Sequence, residues 1–197
     1  MNLYQLNTSK DFFVWVDPNN FLVQHQIKNT GGFTSGGIIG CRKTNLMFIP
    51  NPDFKYDITP FHLNLMGKYI VEYNLELSRI GAFQSYPSRL NAIFLFSSEN
   101  AAQKYGERHQ SHVLGRLLLR VKSCDSFIYS EHDSSWIDFM RLGHSLDPQS
   151  IDNCCKSYWK GINLAGCALQ SLGKSWTEEP ILESLFIGRI EFYDKNL

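Results

Sequence analysis

The chain has no surplus of charge, no apolar run of membrane-spanning length, no paired cysteines and no ready-made catalytic signature. Its 197 residues hold 19 Lys and Arg against 19 Asp and Glu, so the formal net charge is zero. That balance gives no broad basic surface for nucleic acid or for an anionic membrane. The longest apolar run, 93–96 with its flanks, falls far short of the roughly 18–20 residues needed to cross a bilayer. The start, MNLYQLNTSKDFF, lacks a basic segment followed by an apolar stretch, so no export signal is expected. Five cysteines without paired spacing then read as reduced thiols in a cytoplasmic protein.

Ligand signatures are missing as well. GGIIGCRKT at 36–44 resembles a phosphate-binding loop, but Arg42 stands where that loop needs glycine. Cys154 and Cys155 are adjacent, and neighbouring side chains on a helix point about 100° apart, a poor chelate. His109 and His112 lie three apart without an HExxH or CxxC partner, so they read as structural or surface residues and no metal is expected. There is no GxSxG elbow for a hydrolase.

What the chain does have is apolar content, 43% hydrophobic and 14% aromatic, enough for one domain with a sizeable core. LYQL at 3–6 and FFVWV at 12–16 read as strands, the second closed by the Asp17-Pro18-Asn19-Asn20 turn. Residues 21–27 alternate like a half-buried strand, and the glycine-rich stretch 29–40 reads as a loop or hairpin. Residues 46–49 form another short apolar run. From 61 to 82, Leu63, Met66, Tyr69, Ile70, Tyr73, Leu77 and Ile80 recur at helical steps, with Thr59-Pro60 at one end and Gly81 at the other. A strand at 91–96 leads to a helix from about Ser98 to Tyr105, with Ser97 or Ser98 as its cap. Further strands are expected at 114–121, 126–129 and 182–193, the last read either as one strand or as two divided at Gly188, and a helix at 152–164. With no regular βαβ rhythm, these elements predict a single α+β domain over 1–197.

Two constellations carry chemistry. Pro87 fixes the backbone before Ser88 and Arg89, and a guanidinium so held can fork onto a carboxylate or phosphate. It can equally form an ion pair with Glu72 or Glu76 on the preceding helix. In the second, Glu183 heads the apolar strand ESLFI, where an acid projects either into a cleft or into solvent.

The order of these pieces resembles the ADP-ribosyltransferase superfamily, with its poly(ADP-ribose)-polymerase-like or diphtheria-toxin-like fold. LYQL would be the first strand, IFLFSSENAAQKY the middle strand and helix, and ESLFI the late strand that opens with the catalytic glutamate. More narrowly, Glu76, Arg79, Phe83, Pro87-Ser88-Arg89, Ile93-Phe94, Ala101, Tyr158-Trp159, Gly161, Glu183, Leu185 and Gly188 are similar to the pattern of an uncharacterised bacterial family within that superfamily.

The resemblance implies split antiparallel sheets with flanking helices, NAD as co-substrate, and a protein or nucleic-acid acceptor, as in a toxin or effector. It implies that Glu183 stabilises an oxocarbenium-like transition state, with Arg89 on the pyrophosphate or ribose and Ser88 setting its position. Tyr4, Gln5 and Ser97 fall at ribose-contact and strand-end positions, while Phe94 and Tyr105 would wall the nicotinamide. His132, Asp133 and Trp136 would shape the acceptor side. Gln5 departs from the His or Arg of the family at that position. This departure leaves two alternatives open: an NAD glycohydrolase, and an inactive binding or inhibitor protein on the same fold.

Overall fold

A computed structural model describes residues 2–35, 60–142, 146–165, 167, 176 and 178–194. Its strands are β1 (Leu3–Leu6), β2 (Asp11–Val16), β3 (Gly32–Thr34), β4 (Ile93–Leu95), β5 (Leu117–Asp133) and β6 (Leu182–Phe192). Its helices are α1 (Phe21–Thr30), α2 (Pro60–Ala82), α3 (Glu99–Arg108), α4 (Gln110–Val113), α5 (Ser135–Leu142) and α6 (Pro148–Trp159). The α+β class read from the sequence stands. Among the described residues no helix is long and apolar enough to cross a membrane.

The sheet is one antiparallel six-stranded unit, where the sequence reading had split sheets. β5 and β6 run side by side through its centre. β1 and β2 pair with successive lengths of β5, and β4 and β3 with successive lengths of β6. The outer edges of β2 and β4 meet at one point, where Phe13 and Phe96 exchange backbone hydrogen bonds of 2.8 and 2.9 Å. Sequence reading took 114–121 and 126–129 as separate strands. They are one strand, irregular between Cys124 and Ile128, where Asp125 sits at a φ of 56°. A register shift of this kind adds twist without ending the ladder.

Three other expectations change. Residues 21–27 are helix α1: the Asn20 side chain accepts from the Leu22 and Val23 amides, and Gly31 closes the helix in the left-handed region. Only Ile27 of α1 is buried, so the apparent alternation had no sheet to face. Within the glycine-rich stretch, Gly32–Thr34 is strand β3 on β6, while 36–49, including the 46–49 run and the loop ending in Lys43-Thr44, lies outside the described residues, as does Thr59. The helix expected at 152–164 starts earlier and ends sooner, capped by Asp147, whose side chain accepts from Gln149 and Ser150 amides.

Helix α2 has the expected period, but a different face is buried. Val71, Leu75 and Glu76 point inward, whereas Tyr69, Ile70, Leu77 and Ile80 are exposed. The core lies in two main bodies. Val71, Leu75, Trp136, Met140, Tyr158, Trp159 and Leu185 join α2, α5 and α6 to the sheet. Phe12, Val14, Phe127, Tyr129, Phe186 and Ile190 pack within the curled sheet itself. Phe96, Ala102 and Ile181 form a smaller group beneath α3.

Candidate active site

The turn after α2 is pinned from below. Arg79 forks onto Glu76 through Nε (3.0 Å) and Nη2 (2.7 Å), and its Nη1 donates to the Gln84 and Tyr86 carbonyls, each at 3.3 Å. Ser88 Oγ donates to Glu76 Oε2 at 2.9 Å, and the Asn91 and Ala92 amides both donate to the Ser88 carbonyl. Ser88 therefore fixes the turn from beneath.

Arg89 leaves that turn into a buried cluster. Its Nε and Nη2 donate to the two oxygens of Glu72 at 2.7 and 3.1 Å. Its Nη1 donates to Tyr158 Oη at 2.6 Å and to Glu183 Oε1. The guanidinium also lies over the Phe94 ring, 4.9 Å from its centroid. Tyr158 Oη in turn donates to Glu183 Oε1 at 2.7 Å. Arg141 Nη2 stands 3.6 Å from Glu72 Oε1, so two cations face two carboxylates. Arg89 pairs with Glu72, though not with Glu76, and it also lines a cavity. Glu183 is buried, not solvent-facing.

Burial acts on every member of this cluster. It lifts the Glu183 carboxyl above its ordinary range, outweighing the opposing pull of the Arg89 guanidinium and the Tyr158 hydroxyl. Burial would also raise Glu72, but Arg89 and Arg141 bring it below the usual value. It raises the Tyr158 phenol well above normal. Against the penalty that burial imposes on its charge, Glu183, Tyr158 and Glu72 hold Arg89 firmly protonated.

The cavity above this cluster has a volume of about 240 Å³. Arg89, Phe94, Phe96 and Glu183 form one wall, from β4, β6 and their flanks. Trp15 on β2 and Tyr105, His109, His112 and Arg116 on and after α3 form a second. Ser134, Ile137, Asp138 and Arg141, on and beside α5, form a third. The α3 wall is held in place by specific contacts. Trp15 Nε1 donates to the Ala102 carbonyl at 3.0 Å. A Cβ on Gly106 would lie 2.8 Å from Trp15 Cζ2, so only glycine lets the helix seat against the indole. Lys104 pairs with Glu179, and Arg108 with Glu178 at 2.7 Å, which ties α3 to the segment leading into β6.

Four of the residues singled out by sequence, Arg89, Glu183, Phe94 and Tyr105, thus come together in one cavity from positions far apart in the chain. Tyr4, Gln5, Ser88 and Ser97 do not line it. Tyr4 stacks on Tyr129 at 4.8 Å, and Gln5 pairs across the sheet with Ile128. The residues assigned to the acceptor side are structural. His132 is fully buried, its Nδ1 2.8 Å from the Tyr158 carbonyl and its Nε2 2.8 Å from Ser130 Oγ. Asp133 accepts backbone amides, and Trp136 packs in the core while donating to the Ile162 carbonyl at 2.6 Å.

Sequence reasoning missed Trp15, Tyr158, Asp138 and Arg141, and it set aside His109 and His112, which line the cavity. Tyr158 stood in the family-like pattern without a role, and Asp138 and Arg141 share a helix face at i, i+3. That spacing was the available signal. A second groove, of about 560 Å³, runs between α2 and α6 and is lined by Leu77, Gly81, Ile151 and Cys155 among others, without a buried charge cluster. Among the described residues no group of three or more His, Cys, Asp or Glu could hold a metal ion. No protein-family model matches the chain, and no curated protein matches it either.

Proposed function

We propose that the chain is an NAD-dependent ADP-ribosyltransferase of the poly(ADP-ribose)-polymerase-like or diphtheria-toxin-like kind, acting on a protein or nucleic-acid acceptor. The observation that carries this reading is the position of Glu183: a buried carboxylate at the head of β6, in one cavity with Arg89 and the aromatic rings of Phe94 and Tyr105. Breaking the nicotinamide–ribose bond leaves positive charge on the ribose, and a carboxylate beside that ring stabilises it. Glu183 Oε1 is engaged by Arg89 and Tyr158, which leaves Oε2 to meet a ribose hydroxyl.

Arg89 takes a changed role in this proposal. With its donors spent on Glu72, Tyr158 and Glu183, it orients the carboxylate. The pyrophosphate falls to Arg116 and Arg141, the other cations of the cavity. A volume of about 240 Å³ lies below the about 300–1,000 Å³ of typical ligand pockets, so it suits the nicotinamide–ribose end, with the remainder of NAD reaching out through the mouth.

Labelled NAD incubated with the protein and a cell lysate tests the proposal: label on a macromolecule supports transfer, and free ADP-ribose alone supports the glycohydrolase variant. Glu183→Gln keeps shape and removes charge. The expected loss of turnover is on the order of a hundredfold or more with NAD affinity little changed, while the melting midpoint falls because Arg89 loses a buried charged partner. One observation favours a binding protein instead, since Arg89, Glu72, Glu183 and Tyr158 also make a self-sufficient structural cluster. Neither labelled product nor nicotinamide release would decide for that reading.

A further inference from the structure

Tyr158 is the member of the buried cluster whose proton has a single place to go. Burial keeps its phenol protonated well beyond the ordinary range. Its oxygen accepts from Arg89 Nη1 at 2.6 Å, so its one hydrogen is directed at Glu183 Oε1, 2.7 Å away. Arg89 is divided by comparison. Its Nε and Nη2 go to the two oxygens of Glu72, and its Nη1 is shared between Tyr158 and Glu183. Among the described residues, the phenol is therefore the donor committed to Glu183 alone.

The ring that carries this hydroxyl is itself held. Tyr158 is fully buried, with the His132 ring stacked 4.4 Å away at 20° and the Trp159 ring edge-on at 5.0 Å and 82°. His132 Nδ1 also stands 2.8 Å from the Tyr158 carbonyl, so one histidine grips both the ring and the backbone of Tyr158. Ser130 Oγ, 2.8 Å from His132 Nε2, secures the other edge of that histidine. A run of contacts from β5 through α6 thus ends on one carboxylate oxygen.

We infer that Tyr158 is the positioning residue of Glu183: its hydroxyl fixes Oε1, presents Oε2 to the ribose and holds the carboxylate in its charged form. The inference rests on the reading of Glu183 as the group beside the reacting ribose. Tyr158 touches no substrate in this scheme and acts only through Glu183. A carboxylate free to turn would offer either oxygen, and a buried one short of a donor would take up a proton and lose the charge that stabilises the oxocarbenium-like state.

Other charged and titratable groups face Glu183. Arg89 favours its charge, and Glu72 of α2 opposes it. Tyr105 of α3 feels the Glu183 charge. Asp138 and Arg141 of α5, with His109, His112 and Arg116 of the second wall, line the same cavity. His132 of β5 lies opposite Glu183 in the sheet register. Its pKa of about 3 leaves it uncharged where Glu183 titrates, above the ordinary 4.5. Among the described residues only Arg89 joins Tyr158 in bonding Oε1.

Carbon-13 NMR of labelled glutamate and tyrosine side chains across pH, beside nicotinamide release from NAD over the same range, tests the role. In the parent, the Tyr158 Cζ signal should step at the pH where the Glu183 carboxyl titrates. In Tyr158→Phe the Glu183 midpoint should move to higher pH, because a donor to the charged form is gone. Nicotinamide release, which fails as Glu183 gains its proton, should then begin to fall at higher pH in the variant. On the high-pH plateau its turnover should drop on the order of tenfold or more, with NAD affinity unchanged. A folded Tyr158→Phe with an unmoved Glu183 midpoint overturns the inference, and a lower melting temperature alone would make Tyr158 a packing residue. If that variant does not fold, a Tyr158 Cζ signal that stays silent through the Glu183 titration overturns it. A parent that releases no nicotinamide overturns the NAD reading, while the two carbon signals still decide whether Tyr158 governs Glu183.

Discussion

Glu183 loses water on burial, and Arg89 and Tyr158 replace it with two donors on one oxygen. Desolvating an ion pair costs several kcal/mol, and removing one partner of such a pair typically costs about 3–5 kcal/mol. The cluster resists that penalty because Arg89 meets two carboxylates and Arg141 offsets the second. His132 makes the opposite arrangement, a group kept neutral. Burial, with the Arg89 charge adding to it, lowers its pKa from the ordinary 6.5 to about 3, although the Tyr158 carbonyl pulls the other way. Between those values the unfolded chain binds a proton that the folded chain does not. Stability is therefore expected to be intact above pH 6.5 and to be lost as pH falls toward 3, by up to about 1.4 kcal/mol per pH unit. Melting midpoints measured across that window should slope downward in the parent. In His132→Gln, lower overall for want of the ring, the slope should flatten.

At the scale of elements, Gly188 sits within β6 at a φ of 155°. A Cβ there would lie 2.8 Å from Phe127 Cβ and 2.9 Å from the Phe186 ring, and neither the backbone nor those buried rings can give way freely. Gly188→Ala is expected to lower stability by roughly 1–3 kcal/mol, read as a shift of the denaturant midpoint with the slope unchanged. The sequence allowed either one long strand or two divided here, and the structure carries the strand straight through, with Ser35 Oγ accepting the Gly188 amide at 3.0 Å. The strand at LYQL, the Ser98 cap of α3 and the extent of α2 were legible because each depends on local pattern. The buried face of α2 was not. Glu72 and Glu76 turn inward because Arg89 and Ser88 receive them from a turn 17 and 12 residues away, with Arg79 of α2 itself forking onto Glu76. Helix α1 was misread because Phe21 and Leu22 look like a strand's buried residues while standing in the open.

The site depends on the whole molecule, since Arg89, Tyr105, Asp138 and Glu183 meet only when the sheet and three helices are assembled. Motif order located Arg89 and Glu183. It could not bring His109 of the α3 wall and Asp138 of α5 to the same cavity, which only tertiary packing does. One side chain helps hold that assembly together. Asp133, at the end of β5, accepts the Ser135 amide at 3.0 Å, the Ile181 amide at 3.2 Å and the Leu164 amide at 2.9 Å. These amides belong to the start of α5, to the approach to β6 and to the segment after α6, so a single carboxylate sets the rhythm at which three stretches of chain open. Their deuterium uptake should be slow and synchronous. In Asp133→Ala all three should accelerate together, while Val121 in β5 keeps its pace. Acceleration of Ser135 alone would mean that the segments breathe independently, and that Asp133 is no more than a local cap.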